Sequence, residues 1–503
     1  MNITMVLDMA TSADPERVVL GRPGDGMTYS DLYRQAGVAG ERLHADGIRH
    51  LAFVGPNSPA FGVAVFAAAW AGIPLLPLNY RLPADQVVGL LDVHDDVLVL
   101  SHPTTADVVR GSRHPVLDRD DWLATTDIGE PTGTWAQDGD AIAVLLYTSG
   151  TTSAPKAAVL RHRHLLSYLF AAVPFGESAE TDATVVAVPP YHIAGVANLL
   201  SNLYSGRRIV YLDGFTPTGW LETVRKEAAT HAMVVPTMLA RIVAEADGRP
   251  ADTPSLRTLS YGGAKIAPSI IAQALEIFPT TGFVNAYGLT ETSSTIAVLG
   301  PEDHREAVNS ADPAVRARLG SAGKLVPGTI AEIRDDAGAR FPAGTSGSLW
   351  VKGDQVSGEY LAADSPLDAD GWFPTRDRAY FDQAGYLFIE GRSDDTIIRG
   401  GENTAPAEIE AVLMQHPAVG DAAVVGVPDP EWGHRIAAVV VAEEGVALDL
   451  EELRAFARVR LRTAKTPEQW EAWPELPYTT TGKLLRREVL AQLQQADGTP
   501  PRP

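Results

Sequence analysis

A hydroxyl-rich loop with one lysine is the stretch of this sequence best suited to binding a polyphosphate. It reads TSGTTSAPKA and follows the apolar run Ile142 to Tyr147. Hydroxyl and backbone amide donors can surround phosphate oxygens while an ammonium group offsets their charge. The spacing differs from the Walker loop GxxxxGK[ST], and the loop alone leaves a polar surface turn open as the alternative. Its chemistry would come from Thr148, Ser149, Gly150, Thr151, Thr152 and Lys156.

Short β-branched runs separated by helical stretches surround this loop. Within the first 240 residues they read HLAFVG, DVLVLS, AIAVLLY, ATVVAVP, RRIVYL and HAMVVP. This alternation predicts an α/β fold with largely parallel sheets. Residues 60–78 carry no charge, but Gly72, Pro74 and Pro77 interrupt them, which predicts a buried helix and a short strand instead of a membrane span. From Gly328 onward the strands follow one another more closely, which predicts an antiparallel β region.

A separate C-terminal unit is predicted after the polar segment Gly391 to Asp395. It begins with the strand TIIRG and a helix that Thr404 can cap and whose first turn suits Pro406. The strands DAAVVGV and RIAAVVVA follow, then helices around 453–461 and 484–493, and we expect disorder after Ala496. The predicted fold class is α/β, with a large N-terminal domain of parallel αβ sheets plus a β region, and a small mobile α+β C-terminal domain.

Composition excludes several kinds of protein. The chain has 503 residues, 45% of them hydrophobic, which is enough for more than one globular domain. Its net charge of −22 repels phosphate backbones, so nucleic acid is not an expected partner. The start, MNITMVLDMA, lacks a secretory signal pattern, so we expect a cytoplasmic protein without integral membrane association. There is no cysteine, which excludes disulfides, thiolate metal sites and a cysteine nucleophile.

Five segments in chain order resemble the adenylate-forming (ANL) superfamily of acyl-CoA synthetases, adenylation domains and luciferases. They are YTSGTTSAPKA from Tyr147, NAYGLTET from Asn285, GWFPTRDRAYFDQAGYLFIEGRSDD from Gly371, IIRGGENTAPAEIE from Ile397 and PYTTTGKLLRR from Pro477. Together they extend over nearly the whole chain. The sequence is therefore identified as a member of that superfamily, similar to its acyl-CoA ligases.

The resemblance implies a nucleotide site. Glu291, with Thr152, matches the Mg²⁺ position, and a hard carboxylate oxygen suits this cation. Asp377 is similar to the carboxylate that binds the ribose hydroxyls, with Arg392 near the same sugar, while Thr148 and Lys156 contact the phosphates. The implied adenine and AMP-binding residues are Gly262, Gly263, Ala264, Asn285, Ala286, Tyr287, Gly288 and Thr290.

The resemblance also implies a moving catalytic lysine. Lys483 matches the lysine that meets the substrate carboxylate and the α-phosphate. Asp394 resembles the hinge between an N-terminal domain, residues 1–393, and a C-terminal domain, residues 394–503. Gly400 and Gly401 would let the pantetheine arm of CoA pass close to the backbone. The implied acyl pocket consists of Tyr191, His192, Ile193, Gly195, Val196, Lys265, Gly288 and Leu289.

Several positions depart from the superfamily pattern. Ser153 and Ala157 replace glycines of the usual TSGTTGxPKG, Arg376 replaces the glycine of the usual TGD, and Lys265 replaces the proline of the usual GGAPL. One hypothesis is that adenylation is weakened while transfer of the acyl group from acyl-AMP to CoA survives. The alternative is that these residues are tolerated and Arg376 points to solvent. Lys265 could pair with a polar group of the substrate or form a surface salt bridge.

The predicted function is carboxylic acid activation by an acyl-CoA ligase that uses ATP or acyl-AMP, Mg²⁺ and coenzyme A. Because the chain has no cysteine, the acyl group must pass as a bound adenylate to a thiol from outside. Loading of a carrier protein and non-catalytic adenylate binding are the alternatives. The predicted partners are the acid, the nucleotide and CoA. The sequence leaves open whether the chain forms a homodimer. A basic cluster from Arg454 to Lys465 could attract the CoA phosphates or be a solvated helix face.

Overall fold

The structure is a computed structural model that describes residues 1–148, 156–212, 214–399, 402–429, 433–479 and 482–496. The chain divides into two compact units. The first comprises Met1–Gly262, Ser269–Ala331 and Val351–Phe373, and the second comprises Gly263–Pro268, Glu332–Trp350 and Pro374–Pro503. These units are defined by packing and do not test the predicted boundary at Asp394, which stays a prediction.

The α-helices within the described ranges are α1 (Thr4–Ala13), α2 (Tyr29–Ala45), α3 (Pro59–Ala71), α4 (Ala84–Leu91), α5 (Ala106–Val109), α6 (Arg119–Thr126), α7 (His162–Ala172), α8 (Ile193–Ser205), α9 (Pro217–Lys226), α10 (Pro236–Ala246), α11 (Pro268–Ile277), α12 (Pro301–Asn309), α13 (Pro313–Ala317), α14 (Pro406–Leu413), α15 (Leu450–Arg460) and α16 (Arg486–Ala496).

The strands are β1 (Val18–Leu20), β2 (Met27–Thr28), β3 (His50–Val54), β4 (Leu75–Pro77), β5 (Val97–Ser101), β6 (Val116–Asp118), β7 (Ile142–Thr148), β8 (Lys156–Arg161), β9 (Ala183–Val186), β10 (Arg208–Tyr211), β11 (His231–Val234), β12 (Thr258–Gly262), β13 (Gly282–Leu289), β14 (Ser294–Leu299), β15 (Lys324–Leu325), β16 (Thr329–Arg334), β17 (Gly347–Gly353), β18 (Phe373–Phe381), β19 (Leu387–Arg392), β20 (Ile397–Arg399), β21 (Glu402–Thr404), β22 (Val419–Asp429), β23 (Gly433–Ala442) and β24 (Gln469–Ala472).

Two sheets form the framework of the first unit. One has the strand order β6-β5-β3-β4-β7-β8 and is parallel apart from the antiparallel pair β7 and β8. The other has the order β15-β14-β13-β12-β11-β9-β10-β1-β2, with a parallel centre from β13 to β10. The prediction of an α/β fold with largely parallel sheets is confirmed.

The uncharged stretch 60–78 folds as the sequence predicts. It forms most of α3 and the strand β4, and Gly72 ends the helix with a φ of 71°. Nearly every side chain of α3 is buried, because the helix lacks a polar face and packs inside the unit. No helix in the described ranges is long and apolar enough to cross a membrane.

The second unit contains most of the sheet β16-β17-β18-β19, in which β18 and β19 are antiparallel. It also contains the sheet β21-β20-β23-β22, to which β24 adds beside β23. Pro406 lies in the first turn of α14 as predicted, but the expected cap at Thr404 is wrong. Thr404 ends β21 with its side chain buried, and Ala405 occupies the N-cap position without a side-chain hydrogen bond. The tail after Ala496 lies outside the described residues.

As the pH is lowered, the fold should begin to lose stability at a higher pH than it would if only carboxylates were protonated. Burial lowers the pKa of five histidines to about 4, namely His94, His162, His164, His192 and His231. The unfolded chain, with histidine pKa values near 6.5, then binds more protons than the folded chain. With respect to these histidines, the free energy of unfolding is therefore highest above pH 6.5. It falls as the pH drops toward 4, because protonation then favours the unfolded chain.

Urea unfolding at pH 7, 6, 5 and 4 measures this effect. The variant His162→Gln should flatten the decline between pH 6.5 and 4, while His44→Gln, at an exposed position on α2, should leave it unchanged. A free energy of unfolding that stays constant down to pH 4.5 would contradict the assignment of these histidines as buried neutral groups.

Candidate active site

The ends of the predicted phosphate loop lie opposite each other in an antiparallel strand pair. Thr148 ends β7, Lys156 begins β8, and the two residues are in register. The Thr148 hydroxyl donates to the Lys156 carbonyl oxygen at 3.3 Å. The loop therefore connects two strands, unlike the strand-to-helix loop of a Walker motif. Its other predicted residues, Ser149, Gly150, Thr151 and Thr152, lie outside the described residues, as does Ser153.

Tyr147, directly before the loop, is tied to a distant histidine. A hydrogen bond of 2.7 Å joins its hydroxyl oxygen to Nε2 of His94, which is buried in the segment after α4. Burial lowers the pKa of His94 to about 4, so its imidazole is neutral at pH 7. Sequence reasoning missed this contact, since the two residues are 53 positions apart and His94 belongs to no motif. It fixes the strand end from which the loop begins.

Tyr360 brings the predicted phosphate-binding lysine and the predicted metal ligand together. Nζ of Lys156 lies 5.8 Å from the centre of the Tyr360 ring, and the Tyr360 hydroxyl donates to Oε1 of Glu291 at 2.5 Å. The Glu291 carbonyl oxygen also accepts from the Ser357 amide at 2.8 Å. A cation near the ring and a carboxylate at the hydroxyl thus share one tyrosine side chain. Sequence analysis did not select Tyr360, because nothing in the sequence marks it as a neighbour of either residue.

The fit of Mg²⁺ to Glu291 can be judged from its donor atoms. The side chain is half-buried, and within the described ranges only one of its two carboxylate oxygens has a hydrogen-bond partner. The same ranges contain no group of three or more His, Asp or Glu residues arranged to hold a metal. Mg²⁺ is commonly held by one or two carboxylates together with substrate phosphates and water. Glu291 fits that mode of binding.

The predicted adenine residues lie at the ends of neighbouring strands. Gly262 is in register with Ala286 across β12 and β13, and a Cβ on Gly262 would lie 2.2 Å from the Ala286 carbonyl oxygen. A Cβ on Gly288 would lie 1.8 Å from the Ser294 carbonyl oxygen. Both glycines are therefore required by close approach of the backbone. The Asn285 amide group donates to the Ser321 carbonyl oxygen at 2.9 Å.

The remaining predicted nucleotide residues lie on β13 and directly after β12 and β13. Tyr287 and Thr290 are half-buried, and Thr290 opens the short 3-10 helix Thr290–Thr292 that carries Glu291. Gly263 belongs to the second unit with Ala264 and has a φ of 91°, a conformation that favours glycine. The end of β13 and this short helix position the predicted metal ligand Glu291 next to Gly288 and Thr290 of the same unit.

Aromatic rings gather at the predicted acyl pocket. The Tyr191 ring is buried and lies 5.6 Å from the Tyr80 ring and 4.6 Å from the His192 ring. Burial, with the charge of Arg81, lowers the pKa of His192 to about 4. Nε2 of His192 is buried and has no hydrogen-bond partner within the described ranges. A neutral imidazole with one unsatisfied nitrogen is suited to receive a polar group of a ligand.

Helix α8 carries the other predicted pocket residues of this unit. Ile193 begins the helix, Val196 is buried, and a Cβ on Gly195 would lie 2.6 Å from the Pro189 carbonyl oxygen. The helix packs against β14, which pairs with β13, the strand that ends in Gly288 and Leu289. The first unit thus positions these predicted acyl-pocket residues on packed elements.

The predicted ribose residues form an ion pair in the second unit, in which Asp377 is buried and Arg392 half-buried. Asp377 of β18 is in register with Arg392 of β19, and Nη1 of Arg392 donates to Oδ1 of Asp377 at 3.1 Å. The Thr375 hydroxyl accepts from the Asp377 amide at 3.1 Å. Arg376, between them, is exposed and has a φ of 62°. That conformation disfavours side chains with a Cβ, so the backbone next to Asp377 is strained.

Two further departures from the superfamily pattern have definite places. Ala157 is buried inside β8, in register with Tyr147, and so lies in a strand beyond the end of the loop. Lys265 belongs to the second unit. Nearby protein groups shield its ammonium group from water and so lower its pKa, the charge of Glu410 opposes this shift, and the charge of Arg486 adds to it. Its predicted role in the acyl pocket stays a prediction.

Lys483 lies on a hairpin of the second unit and its side chain is exposed. Its amide donates to the Thr479 hydroxyl at 2.9 Å, and its carbonyl oxygen accepts from the Thr479 amide at 2.8 Å. The predicted CoA residues Gly400 and Gly401 lie outside the described residues. They connect Arg399 of β20 to Glu402 of β21, which are paired. Asp394 lies in the short 3-10 helix Ser393–Asp395.

The basic cluster from Arg454 to Lys465 is partly neutralised by neighbouring acids. Nη1 of Arg454 lies 2.7 Å from Oε1 of Glu451, and Nζ of Lys465 lies 2.6 Å from Oε2 of Glu408. In each pair the acid is exposed and the cation half-buried, and pairs at the surface contribute little to stability. Arg454 lies on α15 and Lys465 in the 3-10 helix Thr463–Lys465 that follows, and whether the cluster attracts CoA stays a prediction.

Family models cover most of the chain. The model described as AMP-binding enzyme matches residues 7–361, and the model described as AMP-binding enzyme C-terminal domain matches residues 408–483. The chain belongs to the AMP-binding enzyme family. This confirms the resemblance drawn from the motifs.

Relatives of known activity extend over nearly the full length of this AMP-binding enzyme. A feruloyl-CoA synthase from Amycolatopsis sp. is 33% identical over 489 residues, covering 94% of this chain and 96% of its own. A fatty acid–[acyl-carrier-protein] ligase, ScoC, from Streptomyces coeruleorubidus is 30% identical, covering 93% and 91%.

Solved structures confirm the fold. The o-succinylbenzoate CoA synthetase of Bacillus subtilis, solved with its acyl-adenylate intermediate, superposes with a TM-score of 0.82 at 27% identity, covering 96% of this chain and 97% of its own. The same synthetase has been solved with ATP and a magnesium ion, with a TM-score of 0.80. These are the folds and ligands of similar proteins.

Proposed function

We propose that this AMP-binding enzyme is an acyl-CoA ligase that converts a carboxylic acid to its CoA thioester through a bound acyl-adenylate. The observation that carries the proposal is the group formed by Lys156, Tyr360 and Glu291 beside the ends of the phosphate loop. It offers a cation for phosphate oxygens and a carboxylate for Mg²⁺ at one place. The relatives that make CoA thioesters support the choice of reaction.

In the proposed first half-reaction, the carboxylate of the acid attacks the α-phosphate of ATP and pyrophosphate leaves. Lys156 offsets the charge of the polyphosphate, and Asp377 accepts hydrogen bonds from the ribose hydroxyls. Glu291 would hold Mg²⁺, which would supply positive charge for the phosphate oxygens. Lys483 stabilises the negative charge that builds up between carboxylate and α-phosphate in the transition state.

In the proposed second half-reaction, the C-terminal domain turns at Asp394 and withdraws Lys483. The CoA thiol attacks the acyl carbon of the adenylate, and AMP leaves. The mixed anhydride explains the use of ATP, because AMP is a far better leaving group than the oxygen of a free carboxylate. No protein thioester forms, since the chain has no cysteine.

An assay with both acceptors tests the proposal against loading of a carrier protein, the activity of the relative ScoC. Ferulic, o-succinylbenzoic and decanoic acids serve as probes, each supplied with ATP or as the synthetic acyl-adenylate. We expect a CoA thioester by mass spectrometry. A thioester formed only on a phosphopantetheinylated carrier would favour the alternative. Tight adenylate binding without any product would indicate a non-catalytic binder.

We further propose that adenylation is weaker than transfer to CoA, because Arg376 strains the backbone beside the ribose carboxylate Asp377. The variant Arg376→Gly should relieve about 1 kcal/mol of strain, which corresponds to roughly a fivefold faster rate of pyrophosphate exchange if the strain impairs Asp377. Thioester formation from synthetic acyl-AMP should change less.

The control is Arg378→Gly on the same strand, where no positive φ is relieved. Exchange in the Arg376→Gly variant that equals that of the unmodified enzyme would remove the proposal of weakened adenylation. It would leave Arg376 as a tolerated surface residue.

A further inference from the structure

The hairpin that carries Lys483 is held together at its base. The Leu485 amide donates to the Pro477 carbonyl oxygen at 2.9 Å, and Tyr478 pairs with Leu484 in an antiparallel bridge. Gly482 has a φ of 75°, which lets the chain reverse direction within a few residues. The backbone position of Lys483 is therefore determined by whatever fixes the two stems of the hairpin.

The first stem is anchored to β22. The Tyr478 hydroxyl donates to Oδ2 of Asp421 at 2.8 Å. Burial raises the pKa of Asp421, whereas the hydrogen bond from Tyr478 opposes that shift. The contact ties the entry of the hairpin to β22, an 11-residue strand that pairs along its length with β23.

The second stem leads into Arg486, the first residue of α16. Nη2 of Arg486 donates to Oε2 of Glu410 on α14 at 2.8 Å, and the two side chains are 19% and 15% exposed. The other carboxylate oxygen of Glu410 accepts from the Val424 amide of β22, also at 2.8 Å. Because Glu410 is fixed by the sheet, its pairing with Arg486 fixes the exit of the hairpin.

Arg486 also contacts the residue next to the predicted hinge. Its Nε lies 3.7 Å from Oδ2 of Asp395, which directly follows Asp394. One guanidinium group therefore contacts both α14 and the 3-10 helix that contains the hinge residue. The planar fork of arginine makes such a double contact possible, and lysine, with a single ammonium, cannot reproduce its geometry.

We propose that Arg486 is a positioning residue for the adenylation step: by contacting Glu410 and Asp395, it fixes the Lys483 hairpin relative to the hinge segment. The proposal rests on the proposed function, because it matters only if Lys483 acts in adenylation. Transfer of the acyl group to CoA does not use Lys483, so Arg486 is dispensable for that half-reaction. The two half-reactions should therefore respond differently to its loss.

The test measures both half-reactions in Arg486→Met, Arg486→Lys and Glu410→Gln. Pyrophosphate exchange with the probe acid that the unmodified enzyme uses best should fall about 10- to 100-fold in Arg486→Met, as expected for a displaced catalytic group. Thioester formation from the matching synthetic acyl-AMP and CoA should stay within about twofold of the unmodified rate, well below the tenfold that 1.4 kcal/mol would produce. Arg486→Lys and Glu410→Gln should give intermediate losses of exchange only.

Arg487→Met is the matched control, since Arg487 is the next residue of α16 and is exposed. The retained thioester formation reports a folded C-terminal domain in every variant. If Arg486→Met fails to fold, Arg486→Lys and Glu410→Gln decide the matter by the same comparison. Exchange equal to that of Arg487→Met, or parallel loss of both half-reactions, would overturn the proposal. Inactivity of the unmodified enzyme in both assays would instead refute the proposed function.

Discussion

Replacing Lys483 by alanine should abolish nearly all adenylation while leaving the transfer of an acyl group from acyl-AMP to CoA intact. Lys483 is exposed at the tip of a hydrogen-bonded hairpin, so its truncation removes a charge without disturbing a core. Loss of one group that stabilises transition-state charge lowers kcat by about 10²- to 10³-fold. Pyrophosphate exchange measures the first half-reaction, and thioester formation from synthetic acyl-AMP measures the second.

The control for this prediction is Arg487→Ala, which removes an exposed cation four residues away. It should leave both rates unchanged. Exchange within tenfold of the unmodified rate in Lys483→Ala would mean that another group stabilises the transition state. The assignment of Lys483 would then be wrong.

Replacing Glu291 by glutamine should lower pyrophosphate exchange by about 10²-fold or more, because an amide oxygen carries no charge to hold Mg²⁺. The change preserves the shape of the side chain and its contact with the Tyr360 hydroxyl, which donates to Oε1 at 2.5 Å. Exchange measured at increasing Mg²⁺ should show a higher concentration for half-maximal rate.

Two further variants show whether this effect is specific. Glu302→Gln changes an exposed acid at the start of α12 and should have no effect. Tyr360→Phe removes the hydrogen bond but keeps the ring beside Lys156, so its effect should be smaller than that of Glu291→Gln. An unchanged Mg²⁺ dependence in Glu291→Gln would refute the metal role of Glu291.

The sequence predicts the strands and helices of this fold well, because the periodicity of apolar residues and the local composition determine them. The β-branched runs at 50–54 and 142–148 become strands of one parallel sheet, and the uncharged stretch beginning near Ala60 becomes a buried helix. The error at Thr404 is also local. A threonine before Pro406 can cap a helix, but pairing of β21 with β20 extends the strand to Thr404 and moves the helix start by one residue.

The contacts that join the site depend on distant parts of the chain, which motifs do not reveal. His94 reaches Tyr147, Tyr360 reaches Glu291, and Glu410 reaches Arg486 across separations of 53, 69 and 76 residues. Motifs mark the residues to which the resemblance assigns a role toward a ligand. They do not mark the partners that hold those residues, since partners are set by tertiary packing.

Product analysis with ATP, CoA and the three probe acids tests whether the enzyme is an AMP-forming acyl-CoA ligase. The measurement is mass spectrometry of the acyl product together with the amounts of AMP and pyrophosphate released. An acyl-CoA ligase of this kind should yield one CoA thioester, one AMP and one pyrophosphate for each acid consumed. Formation of ADP and phosphate in their place would contradict it, as would a failure to form the thioester from either an acid with ATP or an acyl-adenylate.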